Sequence, residues 1–173
     1  MEHCLIFGGR GHLAQTKIIP ALKNEKINYT IISRKHKSNL KFLYNKPNVV
    51  SFMSIPTQHL ESSLKPYKND FDYIDPKIII EKPHGISFDN FETICDFLEK
   101  ENYNFFFNDH YLFKRDIINI DLKKIDFKRI KTIKMIINES DCINDRIDYF
   151  DSVGILLDMY QSHVLMTFVK ILC

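Results

Sequence analysis

No two cysteines in this 173-residue chain stand in a Cys-x-x-Cys arrangement. Cys4, Cys95, Cys142 and Cys173 are scattered, which speaks against a disulfide framework or a zinc site, so no metal is expected. No apolar run approaches the roughly 20 residues that cross a bilayer, so no membrane partner is expected. Met1 leads straight into an apolar segment, without the basic region and cleavage site of a secretory leader, and a cytoplasmic location is expected. Charge of one sign is also lacking. The 24 basic and 22 acidic residues leave a net +2, which gives no electrostatic footprint for nucleic acid. Internal repeats and low-complexity linkers are absent.

What remains is the composition of a protein with a real core: 45% hydrophobic, 13% aromatic and 27% charged. The length suits one domain, or one domain with part of a second. Short apolar runs at 4–7, 29–32, 49–53, 78–80 and 103–107 read as strands. Helical patterns follow at 13–22, 58–64 and 88–100. Strands alternating with helices predict an α/β fold, a doubly wound parallel sheet of Rossmann type over residues 1–108. Residues 109–173 read differently, as a helix over 111–120, a strand over 130–138 and a long, largely buried helix over 153–172. One strand cannot stand alone, because both its edges expose unpaired backbone. This second part therefore reads as a truncated α+β substrate domain.

The first strand breaks into Gly8-Gly9-Arg10-Gly11-His12-Leu13-Ala14, which contains a Gly-x-Gly-x-x-Ala form of the dinucleotide fingerprint. Such a turn lets backbone approach a pyrophosphate and aims a helix N-terminus at the anion. A plain strand-to-helix turn would look similar, but the position after the first strand and before the first helix favours the nucleotide. At the end of the second strand stands Arg34, and no Asp or Glu occurs from Tyr29 through Lys46. An acidic residue there would bind a free ribose hydroxyl, whereas Arg suits a 2′-phosphate, so NADP is expected rather than NAD.

Four segments, taken together, resemble the glucose-6-phosphate dehydrogenase family. Residues Ile6 to Leu22 resemble its Gly-x-x-Gly-Asp-Leu-Ala coenzyme segment. Ile80-Glu81-Lys82-Pro83-His84-Gly85 resembles its Glu-Lys-Pro-Phe-Gly turn, and Asp109-His110-Tyr111-Leu112-Phe113-Lys114 its Asp-His-Tyr-Leu-Gly-Lys signature. Asp151 through His163 is similar to its catalytic helix. The order is the family's own, and the chain corresponds to a strongly shortened member. Related sugar oxidoreductases share the Glu-Lys-Pro turn, but the Asp-His-Tyr signature separates this chain from them.

The resemblance implies roles. His163 would be the general base at the C1 hydroxyl of glucose 6-phosphate, and Asp109 would orient it, as a carboxylate does for an imidazole. His110, Tyr111 and Lys114 would grip the phosphate. Lys82 would touch both substrate and coenzyme, Lys17 would help at the phosphate end, and Glu139 and Asp158 would accept from sugar hydroxyls. Gly8, Gly9, Arg10, Gly11, Leu13 and Ala14 would line the coenzyme, and Pro83 would be cis. Each residue has an ordinary reading alone: His163 as a core histidine, Asp109 as a helix cap, Lys82 as part of a turn. Their joint appearance in family order favours the functional one.

The chain also departs from the family pattern. His12 stands in place of Asp, Phe107 in place of Arg, Phe113 in place of Gly and His84 in place of an aromatic. A stretch between the second and third strands is missing. The large antiparallel sheet that follows the catalytic helix in the family has no counterpart here. An expected partner, besides the sugar phosphate, is a second copy of the chain or another polypeptide supplying that sheet. A binding module derived from the family, with weak or no turnover, is the alternative reading.

Overall fold

The computed structural model of the chain describes residues 2–32, 38–85, 87–138, 147, 151, 154 and 156–172. It divides into two units, Met1–Asn108 and Asp109–Cys173.

The first unit is built on five parallel strands in the order β2-β1-β3-β4-β5. These are β1 (His3–Phe7), β2 (Asn28–Ile32), β3 (Val49–Met53), β4 (Lys77–Glu81) and β5 (Phe105–Asn108). β1 is buried along its whole length, as expected of a strand paired on both sides and covered on both faces. Side chains alternate between two cores. Leu5 and Phe7 join Met53, Ile78 and Ile80 under the helices α2 (Leu60–Leu64), α3 (Lys68–Ile74) and α4 (Phe88–Lys100). Cys4 and Ile6 face the other way and pack on Ala14, Ile19 and Leu22. The first helical segment runs through a π-helical stretch, Ala14–Ile18, into α1 (Ile19–Asn24).

The two faces follow from chain direction. β1 to β2 moves one way along the sheet, while β3 to β4 to β5 moves the other, and right-handed crossovers then place the helices on opposite faces. The reversal falls between β1 and β3, where an open α/β sheet leaves a crevice beyond the strand ends. This is the doubly wound α/β architecture that the sequence predicts. Residues 65–74 are an addition to the expected helix at 58–64: a tight turn over Lys65–Tyr67 leads into α3.

The second unit departs from expectation in three places. The helix expected over 111–120 is a 3₁₀ turn, His110–Phe113, followed by a single helical turn, α5 (Arg115–Ile118). Lys114, at φ −59° and ψ 138°, is extended and separates them. Residues 130–138 form no strand. Their apolar positions, among them Ile133, Met135 and Ile137, ask for a neighbouring ladder, and none of the described residues supplies one. The last helix is a π-helical stretch, Leu156–Val164, continued by α6 (Leu165–Leu172). It is not largely buried: Leu156, Tyr160, Leu165, Val169 and Leu172 are exposed, while His163 and Thr167 are enclosed. The apolar residues that run round this helix exceed the surface the unit offers to cover them.

Candidate active site

The glycine turn starts where β1 ends. Gly8 has φ +74°, and a Cβ placed there would lie 2.0 Å from the Ser54 carbonyl oxygen. A Cβ on Gly9 would meet the Ile31 side chain at 2.8 Å. Only glycine fits either position, so the bare backbone of the turn can approach a ligand as a pyrophosphate site requires. Gly11 N–H donates to the Gly8 carbonyl at 2.8 Å, closing the turn, and the Gln15 side-chain amide donates to the Gly9 carbonyl. Ser54 N–H donates to the Phe7 carbonyl at 3.0 Å and ties the end of β3 to the end of β1. These features fit a dinucleotide. Ala14 is buried beneath the turn, Leu13 is half-buried, and Arg10 and Lys17 are exposed. Gln15 is a positioning group that the sequence reading passed over, because a Gln at the start of a helix carries no motif signal of its own.

At the far side of the sheet, β4 ends at Glu81, and the following Lys82–Pro83 peptide is cis. Glu81 is buried and pairs in register with Asn108 at the end of β5. The Asn108 side-chain amide donates to the Glu81 carboxylate. His84 packs on Phe107, with ring centroids 4.6 Å apart, and its Nε2 meets the Asn108 carbonyl at 3.0 Å. Lys82 is half-buried between these groups in sequence. His84 and Asn108 thus brace the turn that carries Lys82. Neither was singled out as a site residue, since their role depends on strand register.

The second unit brings Asp109 and His163 together across 54 positions of sequence. Both are buried, and His163 Nδ1 lies 2.9 Å from Asp109 Oδ1. The same oxygen accepts the Tyr111 N–H at 3.0 Å. Asp109 is therefore both the cap of the turn and the hydrogen-bond partner of the imidazole. The Thr167 hydroxyl donates to the His163 carbonyl at 2.8 Å, fixing the backbone on the other side. With Asp109 ionised, Nδ1 carries the proton and Nε2 presents its lone pair, the state a general base needs.

Around this pair, the Tyr111 ring stacks on His163 with centroids 3.9 Å apart, and His110 stands edge-on at 5.1 Å. Lys114 Nζ lies 3.6 Å from the Tyr111 centroid. His110 and Lys114 are exposed, while Tyr111 is buried. Arg34 and Glu139 lie outside the described residues, as does the side chain of Asp158, whose backbone falls in the Leu156–Val164 stretch. Among the described residues no cluster of three or more His, Cys, Asp or Glu could hold a metal, and no helix is long and apolar enough to cross a membrane.

No protein-family model matches the chain. A bifunctional glucose-6-phosphate 1-dehydrogenase/6-phosphogluconolactonase of Plasmodium falciparum is 32% identical over 143 residues, covering 70% of this chain and 15% of that protein. Glucose-6-phosphate 1-dehydrogenase of Helicobacter pylori is 27% identical over 132 residues, covering 70% of this chain and 31% of the enzyme. The Buchnera aphidicola enzyme from Acyrthosiphon pisum is 29% identical over 139 residues. These matches span about a third or less of the curated relatives' length. The fold is similar to the crystal structure of glucose-6-phosphate 1-dehydrogenase from Mycobacterium avium. The TM-score is 0.71 and the identity 15%, over 98% of this chain and 51% of that one. The order of motifs, the relatives and the doubly wound sheet agree: the chain belongs to the glucose-6-phosphate dehydrogenase family.

Proposed function

We propose that the chain serves NADP-linked oxidation at C1 of a sugar phosphate, with glucose 6-phosphate as substrate and 6-phosphogluconolactone as product. The buried His163–Asp109 pair, at 2.9 Å, is the observation that carries this reading. Asp109 holds the imidazole by Nδ1, so that Nε2 takes the proton of the C1 hydroxyl. Asp109 then faces the imidazolium that forms, which lowers the cost of charging a buried ring. Lys114 and His110 are exposed cations or donors suited to a phosphate group, beside the base they would serve. Lys82 is the further cation toward substrate and coenzyme, and Glu139 and Asp158 are the acceptors for sugar hydroxyls.

The coenzyme, when bound, supplies the hydride acceptor. Residues 1–108 would hold it, with the Gly8–Gly11 turn, Leu13 and Ala14 at the pyrophosphate and Lys17 nearby. Arg34 would select the 2′-phosphate. Residues 109–173 would hold the sugar phosphate. A cytoplasmic setting suits this chemistry, and a second copy or another polypeptide would cover the apolar residues that the second unit leaves exposed.

Coenzyme reduction, followed by absorbance against a panel of sugar phosphates, tests the reading. Glucose 6-phosphate should be oxidised with NADP in preference to NAD. His163→Asn should lower turnover by about 10² to 10⁴ while coenzyme affinity stays near that of the unaltered chain. NADP binding without reduction of any sugar phosphate would favour a nucleotide-binding module instead. Equal turnover in the His163→Asn variant would return His163 to the role of a packed core residue.

A further inference from the structure

Lys114, Tyr111 and His163 form one column. The Tyr111 and His163 rings lie within 18° of parallel at 3.9 Å, and the Lys114 ammonium stands 3.6 Å from the centre of the same phenol ring. Two groups this close cannot share one face of the ring, so imidazole and ammonium occupy opposite faces with Tyr111 between them. The inner end of the column is pinned by Asp109, whose Oδ1 takes both His163 Nδ1 and the Tyr111 N–H. Lys114, at the outer end, is exposed. The Tyr111 hydroxyl points at Met159 Sδ, 3.9 Å away, a weak acceptor.

We propose that Tyr111 is a positioning residue whose ring relays the capture of an anionic phosphate by Lys114 to the orientation of the His163 imidazole. An exposed ammonium gains little from an aromatic face, and much more from charge-assisted hydrogen bonds to a phosphate dianion. A phosphate arriving at Lys114 therefore draws the ammonium off the ring. The phenol loses the group that pressed its outer face, and His163, stacked on the inner face and hinged at Asp109, turns with it. Phosphate capture then sets the final angle of the imidazole about its hydrogen bond to Asp109. This rests on the reading of His163 as the base and Lys114 as a phosphate ligand, and it adds a role for the Tyr111 ring distinct from its hydroxyl.

The test is a resonance titration of the full chain with inorganic phosphate, then with glucose 6-phosphate. Without anion, ring current should shift the Lys114 ε-methylene protons upfield of the other lysines. On titration they should return to the ordinary lysine position, and the His163 ring protons should move with the same midpoint. Tyr111→Phe should keep both responses. Tyr111→Leu removes the ring current at Lys114, so phosphate binding is read there from the phosphorus resonance, and the His163 resonances should stay still. Lys114 protons at ordinary positions before titration would overturn the relay. So would an absent phosphate response, or a His163 signal unmoved at saturation, or coupling that survives in Tyr111→Leu. Failure of the relay with sugar-phosphate oxidation intact would leave the proposed function standing. An intact relay without oxidation would sink the proposed function alone.

Discussion

The two units solve the problem of burial differently. In Met1–Asn108, two apolar clusters sandwich a five-stranded sheet, and Leu5, Ile6, Leu43, Met53, Leu64 and Leu98 are almost fully enclosed. In Asp109–Cys173, Tyr111 is the only described hydrophobic residue that is buried, while Phe113, Ile118, Ile136, Leu156 and Leu172 lie open. A groove open to solvent runs between Phe127, Ile130, Ile133 and Leu172. Yet the second unit holds the buried His163–Asp109 hydrogen bond. Its geometry comes from short-range constraints: one carboxylate oxygen capping a turn and holding an imidazole, with a threonine behind. A site can thus be ordered by polar contacts where the surrounding apolar packing is incomplete.

The largest expected effect sharpens this contrast directly. Leu64, enclosed in the main core, should cost about 2–5 kcal/mol when truncated to Ala, because the sheet cannot collapse onto the vacated volume. Leu165, almost half exposed on α6, should cost within about 0.5 kcal/mol. Urea unfolding of both variants measures the difference. Comparable losses would mean that the second unit is packed as tightly as the first, contrary to its exposed apolar residues.

The same contrast explains what could be read from the sequence. β3 and α4 fall at their expected bounds because each pattern is complete in itself: Val49–Met53 alternates inward and outward, and Phe88–Lys100 carries a Ser87 cap. The glycine turn was legible because its physical need, a backbone with no Cβ, is local. The strand expected over 130–138 had a valid period but lacked a partner, and a period alone does not supply hydrogen bonds. The helix expected over 111–120 ended early because Lys114 is extended, a choice its residue type does not announce. The dyad was named by resemblance, whereas the stacking of Tyr111 on His163 depends on contact across 52 positions of chain, which no spacing rule reports.

A smaller effect tests whether the first unit depends on local signals as well as on its core. The Ser87 side chain accepts from the Asn90 N–H at 3.2 Å and caps α4. Ser87→Ala should cost about 1 kcal/mol, and Ser87→Asp should retain the stability, with Asp favoured at the positive end of the helix. Thermal unfolding of the two variants reads the difference. Equal stability of Ala and Asp at this position would assign α4 wholly to the packing of Ile94 and Leu98.

The last effect is a slope rather than a loss, and it belongs to the braced ends of β4 and β5. Burial pushes the His84 imidazole below its usual range, and the Lys82 charge works in the same direction. The Asn108 carbonyl and Glu81 oppose this without overcoming it. In the unfolded chain His84 takes its proton near pH 6.5. In the folded chain it stays neutral to lower pH, so between those values the unfolded state binds more protons. His84 therefore costs nothing above about pH 6.5, and stability falls as pH drops from there toward the folded value. His3 is lowered too, by burial and by Lys46, and adds a slope of the same sign. His84→Phe, which restores the aromatic of the family turn, should make the acid slope shallower without removing it. Urea midpoints at about pH 7.5 and about pH 5.5, with amide exchange at Ile79 and Phe106 as a local probe, measure this. If the slope is the same in both proteins, the loss arises elsewhere, and His84 serves the turn through packing on Phe107 alone.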